Sequence, residues 1–267
     1  MEELCQMRLQ TANPWLCKQI RLKKNKIISI KGTLMSQIAQ NLKNVQEKIA
    51  QTLRQCGRDG EHITLVAVTK THPVELIDEA LRLGITHIAE NKVQEAERKI
   101  PLLSAPYEAF HFIGRLQTNK INKLLSLNPA LVQSVGSLYL AQELNRSLGR
   151  KNLTQDILVQ INTTAEETKS GVDLDNAEDM IWQIASLSSL RIRGLMTMGV
   201  MSLDPEKTRP FFRQLFALKE KLESQNIPGV SWEHLSMGMS GDFEVALQEG
   251  ANMLRLGSVI FGQRNYG

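Results

Sequence analysis

The sequence predicts an α/β protein built as a single (β/α)8 barrel of the TIM type, and three observations carry that prediction. After Gly57, short apolar runs of β type alternate with helical patterns for the rest of the chain. Eight such apolar runs occur in about 210 residues, and barrels of this kind need ~200 residues or more. The joints between runs carry proline and glycine where helix starts and stops favour them.

The elements follow in order. From Met35, Ile38, Leu42, Val45, Ile49 and Leu53 recur at spacings of three and four among Gln, Asn, Lys and Glu. That pattern predicts an amphipathic helix laying one face on a body. The predicted strands are Ile63–Thr69, Ile85–Ala89, Ala109–Ile113, Leu131–Val135, Ile157–Ile161, Ile192–Met198, Trp232–Ser236 and Met253–Leu256. Helical patterns between them are clearest at Pro73–Leu83, Leu138–Leu148, Ala177–Leu187, Pro210–Ser224 and Phe243–Gln248. Pro73 opens the first of these where its missing N–H costs nothing, and Thr71 just upstream is placed to cap it. Gly84 and Gly250 stop two helices as left-handed residues, in the rhyming stretches Ala80-Leu81-x-x-Gly84 and Ala246-Leu247-x-x-Gly250. The rival architecture is a doubly wound open sheet, which normally has a Gly-rich turn after its first strand. Here that strand ends in Thr69-Lys70-Thr71-His72, and neither GxGxxG nor GxxxxGK[ST] occurs. A Rossmann or P-loop nucleotide site is therefore not expected.

Composition narrows the partners. The chain has 267 residues and a formal charge of +4. Residues 1–34 hold seven Lys/Arg and two acids, a net of +5, so the remainder is at −1. The body has no global positive field to recruit nucleic acid. Cys5, Cys17 and Cys56 are odd in number and lack CxxC spacing. They predict neither a disulfide framework nor a zinc site, and a reducing cytoplasm is the default. No apolar run reaches the roughly 18 residues of a membrane span. Residues 1–34 read as a basic, poorly ordered tail, or as a stretch upstream of a true start at Met35. The barrel is expected to occupy residues 35–267.

In such barrels function sits at the C-terminal ends of the strands. Lys70 ends the first strand after Leu65-Val66-Ala67-Val68. Desolvation there favours the neutral amine, which can attack an aldehyde and form a Schiff base. On position alone an ordinary solvated lysine is the plainer account. Ser236-Met237-Gly238-Met239-Ser240-Gly241-Asp242 follows strand seven, and Arg255-Leu256-Gly257-Ser258 spans the end of strand eight. Barrels commonly hold a phosphate in these two loops, with backbone N–H groups and hydroxyls such as those of Ser240 and Ser258. Two Gly/Ser turns would look the same. Arg255 stands where it can bind phosphate, face a pyridine nitrogen and keep it unprotonated, or join a salt bridge at the rim. His111 and His234, inside strands, read as structural groups. Asn91, Gln117, Asn119 and Asn162, past strands two, three and five, either line a polar pocket or cap helices. Lys169 is a rival amine, placed below Lys70 because Glu166, Glu167 and Thr168 suggest a solvated loop.

Seven stretches in order then resemble the pyridoxal phosphate homeostasis protein family. They are Ala67-Val68-Thr69-Lys70-Thr71; Glu90-Asn91-Lys92-Val93-Gln94-Glu95; His111 to Lys120; Gln160-Ile161-Asn162 with Glu167, Lys169, Ser170 and Gly171; Gly194-Leu195-Met196; Leu235-Ser236-Met237-Gly238-Met239-Ser240-x-Asp242; and Arg255 to Gly262. They run from about residue 35 to the end of the chain. The resemblance implies a barrel similar to the N-terminal domain of alanine racemase and pyridoxal 5′-phosphate (PLP) held as an internal aldimine on Lys70. It implies phosphate contacts from Ser240, Gly257 and Ser258, Arg255 near the pyridine ring and Asn91 beside the cofactor. It also implies a cytoplasmic protein of vitamin B6 balance without established turnover, and an open site suits handing PLP to apoenzymes. Ala89 departs from a common glycine, and Gly136 from a common aspartate. Racemases and decarboxylases of this class close their site with a second, mostly β domain and a dimer partner. This chain stops soon after strand eight, so a monomer with an open pocket and no metal is expected. The competing functions are a minimal racemase-like enzyme, a Schiff-base aldolase without cofactor, and an interaction protein working through its basic tail.

Overall fold

The computed structural model describes residues 37–164, 170–200 and 202–263. The basic extension and Lys169 lie outside the described residues. Helix α1 covers residues 37–55 and buries Ile38, Leu42, Val45 and Leu53, the face marked by the three-and-four spacing. The strands are β1 (Thr64–Val68), β2 (His87–Glu90), β3 (Ala109–Phe112), β4 (Leu131–Val135), β5 (Gln155–Asn162), the two-residue β6 (Val172–Asp173), β7 (Leu190–Met196), β8 (Val230–Ser236) and β9 (Met253–Leu256). The helices between them include α2 (Val74–Arg82), α3 (Val93–Lys99), α4 (Ile121–Leu125), α5 (Leu138–Gly149), α6 (Leu174–Ala185), α7 (Arg209–Glu223), α8 (Phe243–Gln248) and α9 (Ser258–Phe261).

All pairings are parallel, and the sheet closes on itself. The order runs β4-β3-β2-β1-β9-β8-β7-β5, and β4 pairs β5 to complete eight strands, with β6 an appendage on β5. The eight predicted runs are these eight strands, displaced by at most two residues at any end. Alternation along each strand sorts side chains inward or outward. Val66, Ala89, Leu131, Leu158, Met196 and Met253 pack together inside the barrel. The outward set, including Ala67, Ile88, Phe110, Val132, Ile157, Leu195, Leu235 and Leu254, packs under the helices as one large core. This is the usual two-shell packing of the fold.

Local details confirm some joints and correct one. Gly84 and Gly250 have φ of +101° and +97°, as glycine stops require. Thr71 does not cap α2. The N-cap is Pro73 with no side-chain cap, and the Thr71 hydroxyl instead donates to the Lys70 carbonyl at 2.6 Å. A positive φ of +68° turns Thr71 away from the helix it was expected to cap. Gly136 packs on Gly171 so closely that a Cβ there would sit 2.8 Å from Gly171 Cα. In this chain an aspartate at 136 would displace the loop after β5.

Gly194 lies where register shifts on both sides of β7. Its φ is +142°, and a Cβ would fall 1.9 Å from the His234 carbonyl oxygen. Gly194→Ala is expected to force β8 away and lower unfolding free energy by about 2–4 kcal/mol. A denaturant midpoint with unchanged m-value measures this.

Candidate cofactor site

A cavity of about 430 Å³ opens at the C-terminal ends of the strands, and Lys70, Asn91, Ser240, Arg255, Gly257 and Ser258 all line it. Its volume falls in the ~300–1,000 Å³ range of small-molecule sites. Lys70 continues the inward face of Val66 and Val68, and Asn91 that of Ala89. Both are half-buried. The loop after β8 and the turn after β9 meet on the other side. Ser240 Oγ accepts from the main-chain N–H of Gly257 at 3.2 Å and of Val259 at 3.4 Å. The turn after β9 leads into the short helix α9, with Gly257 at its N-cap. Gly257 and the hydroxyls of Ser240 and Ser258 thus converge on the cavity, and among its described lining residues there is no carboxylate, a set that suits phosphate oxygens.

Arg255 forms part of the floor. It is 4% exposed, and its guanidinium donates to Ser236 Oγ at 2.6 Å and to the Thr197 carbonyl at 2.7 Å. Burial pulls it down to about 10, with Asp242 acting the other way, so it stays charged at neutral pH. A rim salt bridge is therefore not its role: its hydrogen-bond partners are a hydroxyl and a carbonyl. Burial in turn pushes the Asp242 carboxyl up, against the Met239 N–H it accepts at 2.6 Å.

The segment carrying Lys70 is clamped from the outer shell. Lys99 on α3 donates to the Thr69 carbonyl at 2.8 Å and to Glu90 Oε1 at 2.9 Å, and pairs with Glu95 at 2.5 Å. Glu95 in turn accepts the Thr71 N–H at 2.5 Å. The residues before and after Lys70 are thus held by one ionic cluster, which offsets the strain of a β-branched residue at positive φ. Glu90 is fully buried, and burial pushes its carboxyl up against the hydrogen bonds from Thr69 and Lys99. Burial also acts on Glu95, but Lys99 and the Thr71 N–H outweigh it and hold that carboxyl below its usual range.

Other sequence candidates fall elsewhere. Gln117 lines a neighbouring cavity that shares Arg115, Gln160 and Ser170 with the first. Asn119 is exposed in the turn Thr118–Lys120. Asn162 is buried, and its oxygen accepts from the Thr164 N–H and hydroxyl. His111 and His234 lie inside the barrel. Arg115, Gln160, Ser170, Met198 and Met239 line the cavity without having been singled out. Several belong to the motif stretches, and only the closed barrel brings them together. Among the described residues no group of three or more His, Cys, Asp or Glu could hold a metal ion, and no helix is long and apolar enough to cross a membrane.

Residues 35–265 match the family model described as alanine racemase, N-terminal domain, which defines the class of this barrel. The Pyridoxal phosphate homeostasis protein of Aquifex aeolicus (strain VF5) is 37% identical over 227 residues, covering 85% of this chain and 98% of that protein. The protein of that name from Escherichia coli (strain K12) is 36% identical over 237 residues, covering 87% and 99%. Among solved structures, PipY of Synechococcus elongatus PCC7942 with PLP bound superposes with a TM-score of 0.69 at 32% identity, covering 80% of this chain and 100% of that one. Alanine racemase of Clostridium difficile 630 has a TM-score of 0.66 at 16% identity and is covered over 57% of its length, a likeness of fold alone. The chain belongs to the pyridoxal phosphate homeostasis protein family.

Two outcomes follow from the buried charges. Lys99→Met leaves the Glu90 carboxylate without its cation and is expected to cost about 3 kcal/mol, with Glu90→Gln in the same chain recovering part of the loss. Chemical denaturation of the two variants measures both numbers. The second concerns His111, which burial, then His87 and His234, push down to about 3 from 6.5. Below pH 6.5 the unfolded chain binds a proton that folded His111 refuses until about pH 3, so stability falls as pH drops through that window. The slope is about 1.4 kcal/mol per pH unit for one proton. Stability measured against pH should be flatter by that amount in His111→Asn.

Proposed function

We propose that this protein binds PLP as a Schiff base on Lys70 and serves intracellular PLP (vitamin B6) homeostasis rather than turnover of a substrate. The observation that carries the reading is the joint lining of one cavity by a half-buried lysine, a buried arginine and the Gly/Ser turns of Ser240, Gly257 and Ser258. Ser240, Gly257 and Ser258 bind the phosphate, Arg255 faces the pyridine ring and Asn91 flanks it. The Lys70 nitrogen forms a C=N bond to the aldehyde carbon, and one water leaves. When bound, PLP supplies an electrophilic carbon and an electron sink. A charged guanidinium facing the ring weakens that sink, because arginine does not yield its proton.

The lining supports a carrier over a catalyst. Among the described lining residues Lys70 is accompanied by no carboxylate, histidine, tyrosine or cysteine to move a second proton. Ser258 and Gly241 in the lining are exposed, so water enters freely and electrostatic preorganisation is weak. An open cavity also suits transfer of PLP to apoenzymes. The binding unit runs from residue 35 to the C-terminus, with residues 1–34 as a basic extension, and acts as a cytoplasmic monomer.

Purified protein with added PLP should show an absorbance band near ~420 nm that borohydride bleaches, and peptide mapping should find the reduced adduct on Lys70. Lys70→Ala should lose the band. An adduct elsewhere, or none, overturns the reading. Steady racemisation of an amino acid that Lys70→Ala abolishes would establish the racemase-like enzyme instead.

A further inference from the structure

A chain of polar side chains runs through the barrel interior from the floor of the cavity to the opposite mouth. Arg255 Nη1 donates to Ser236 Oγ at 2.6 Å, and Ser236 Oγ donates to Gln133 Oε1 at 2.7 Å. Gln133 Nε2 lies 2.9 Å from His111 Nδ1, and His111 Nε2 lies 2.8 Å from His87 Nδ1. His87 Nε2 then faces Glu108 at 3.6 Å. Strands β9, β8, β4, β3 and β2 supply one link each. Arg255, Ser236, Gln133 and His111 are all at most 4% exposed. The chain ends beside a second cavity of about 530 Å³ at the N-terminal ends of the strands, lined by His62, His87 and Glu108.

The donor inventory gives this chain one direction. Arginine has five donors and no acceptor, so the Ser236 oxygen accepts from Arg255 and its proton goes to Gln133. The Gln133 carbonyl is thereby used, and its amide nitrogen turns to His111 and to Met253 Sδ, 3.2 Å away. His111 therefore accepts at Nδ1, carries its proton on Nε2 and donates to His87. Burial keeps His111 neutral, which this sequence of donors requires. The charged or titratable groups around the chain are Asp242 beside Arg255, and His62, Glu108 and His234 around the two linked histidines.

We propose that Gln133 and His111 are positioning residues for Arg255: acting through Ser236, they fix the hydroxyl as an acceptor and hold the guanidinium in one orientation toward a bound pyridine ring. The proposal rests on the reading of the cavity as a PLP site. When the chain is cut, Ser236 is free to rotate, only the Thr197 carbonyl still fixes the guanidinium, and its hold on the ring nitrogen slackens. A ring nitrogen that can then take a proton draws electrons from the Lys70 nitrogen. The pH at which that nitrogen loses its own proton falls.

The experiment titrates the visible band of the PLP-loaded full-length protein against pH. Arg255→Lys should lower the midpoint. Gln133→Leu and Ser236→Ala should lower it too, by roughly half to one pH unit, with the adduct still trapped on Lys70. His111→Asn offers an oxygen where Nδ1 accepted, and should keep the wild-type midpoint. If Gln133→Leu does not fold, Ser236→Ala, one oxygen smaller, carries the same comparison. A shift in Arg255→Lys with none in Gln133→Leu or Ser236→Ala overturns the positioning role and leaves the cofactor reading intact. No shift in Arg255→Lys removes the ring contact, and the proposal falls with it. No adduct on Lys70 in the wild-type protein defeats the cofactor reading itself.

Discussion

The pairing of the first barrel strand with the last is the constraint on which the site depends. Val66 lies opposite Arg255 and Ala67 opposite Leu256 across the β1–β9 ladder. This register sets Lys70, two residues past the strand end, beside the turn at Gly257 and Ser258. It also aligns the inward faces, so that Lys70 and Arg255 both point into the barrel. A slip of one residue would turn every inward side chain of β1 toward the helices. The lysine would then leave the cavity altogether. Closure of the sheet thus makes one site from opposite ends of the barrel sequence.

The two shells of the barrel divide the work. The outer shell is mostly apolar, and where it grips the backbone around Lys70 a buried carboxylate, a lysine and a second carboxylate share charge. The inner shell is mixed. A layer of Val66, Ala89, Leu131, Leu158, Met196 and Met253 fills the centre, while Gln133, Ser236, His111 and Arg255 run through it hydrogen-bonded to one another. Burial costs such groups little once every donor and acceptor is met.

Much of this was legible in the residue order. Strands announced themselves because parallel strands covered on both sides are continuous apolar runs. Helix α3 did not, since Val93-Gln94-Glu95-Ala96-Glu97-Arg98-Lys99 buries only Val93 and Ala96 and has too few apolar positions to set a period. The two-residue β6 is below any pattern. Lys70 and the two Gly/Ser loops were readable from their places after strands, and the motif resemblance gave them roles. The clamp of Glu90, Glu95 and Lys99 was not, because it depends on how α3 lies over β2. The interior chain has one sequence trace, a glutamine in the middle of the buried strand Leu131–Val135. Its partners sit on strands far away in sequence, and only closure reveals them.

The mutual hydrogen bonding of that interior has a consequence for how the sequence can drift. Each of Ser236, Gln133 and His111 bonds to a neighbour on either side, so an isolated change to an apolar residue strands a polar group in a medium that punishes it. An all-apolar lining is itself a stable solution, but the path to it crosses single variants worse than either end. Inheritance is then expected to keep these positions together or change them together, although none of Gln133, His111 and Ser236 lines the cavity. Someone ranking residues by nearness to the ligand would pass over the ones least free to vary.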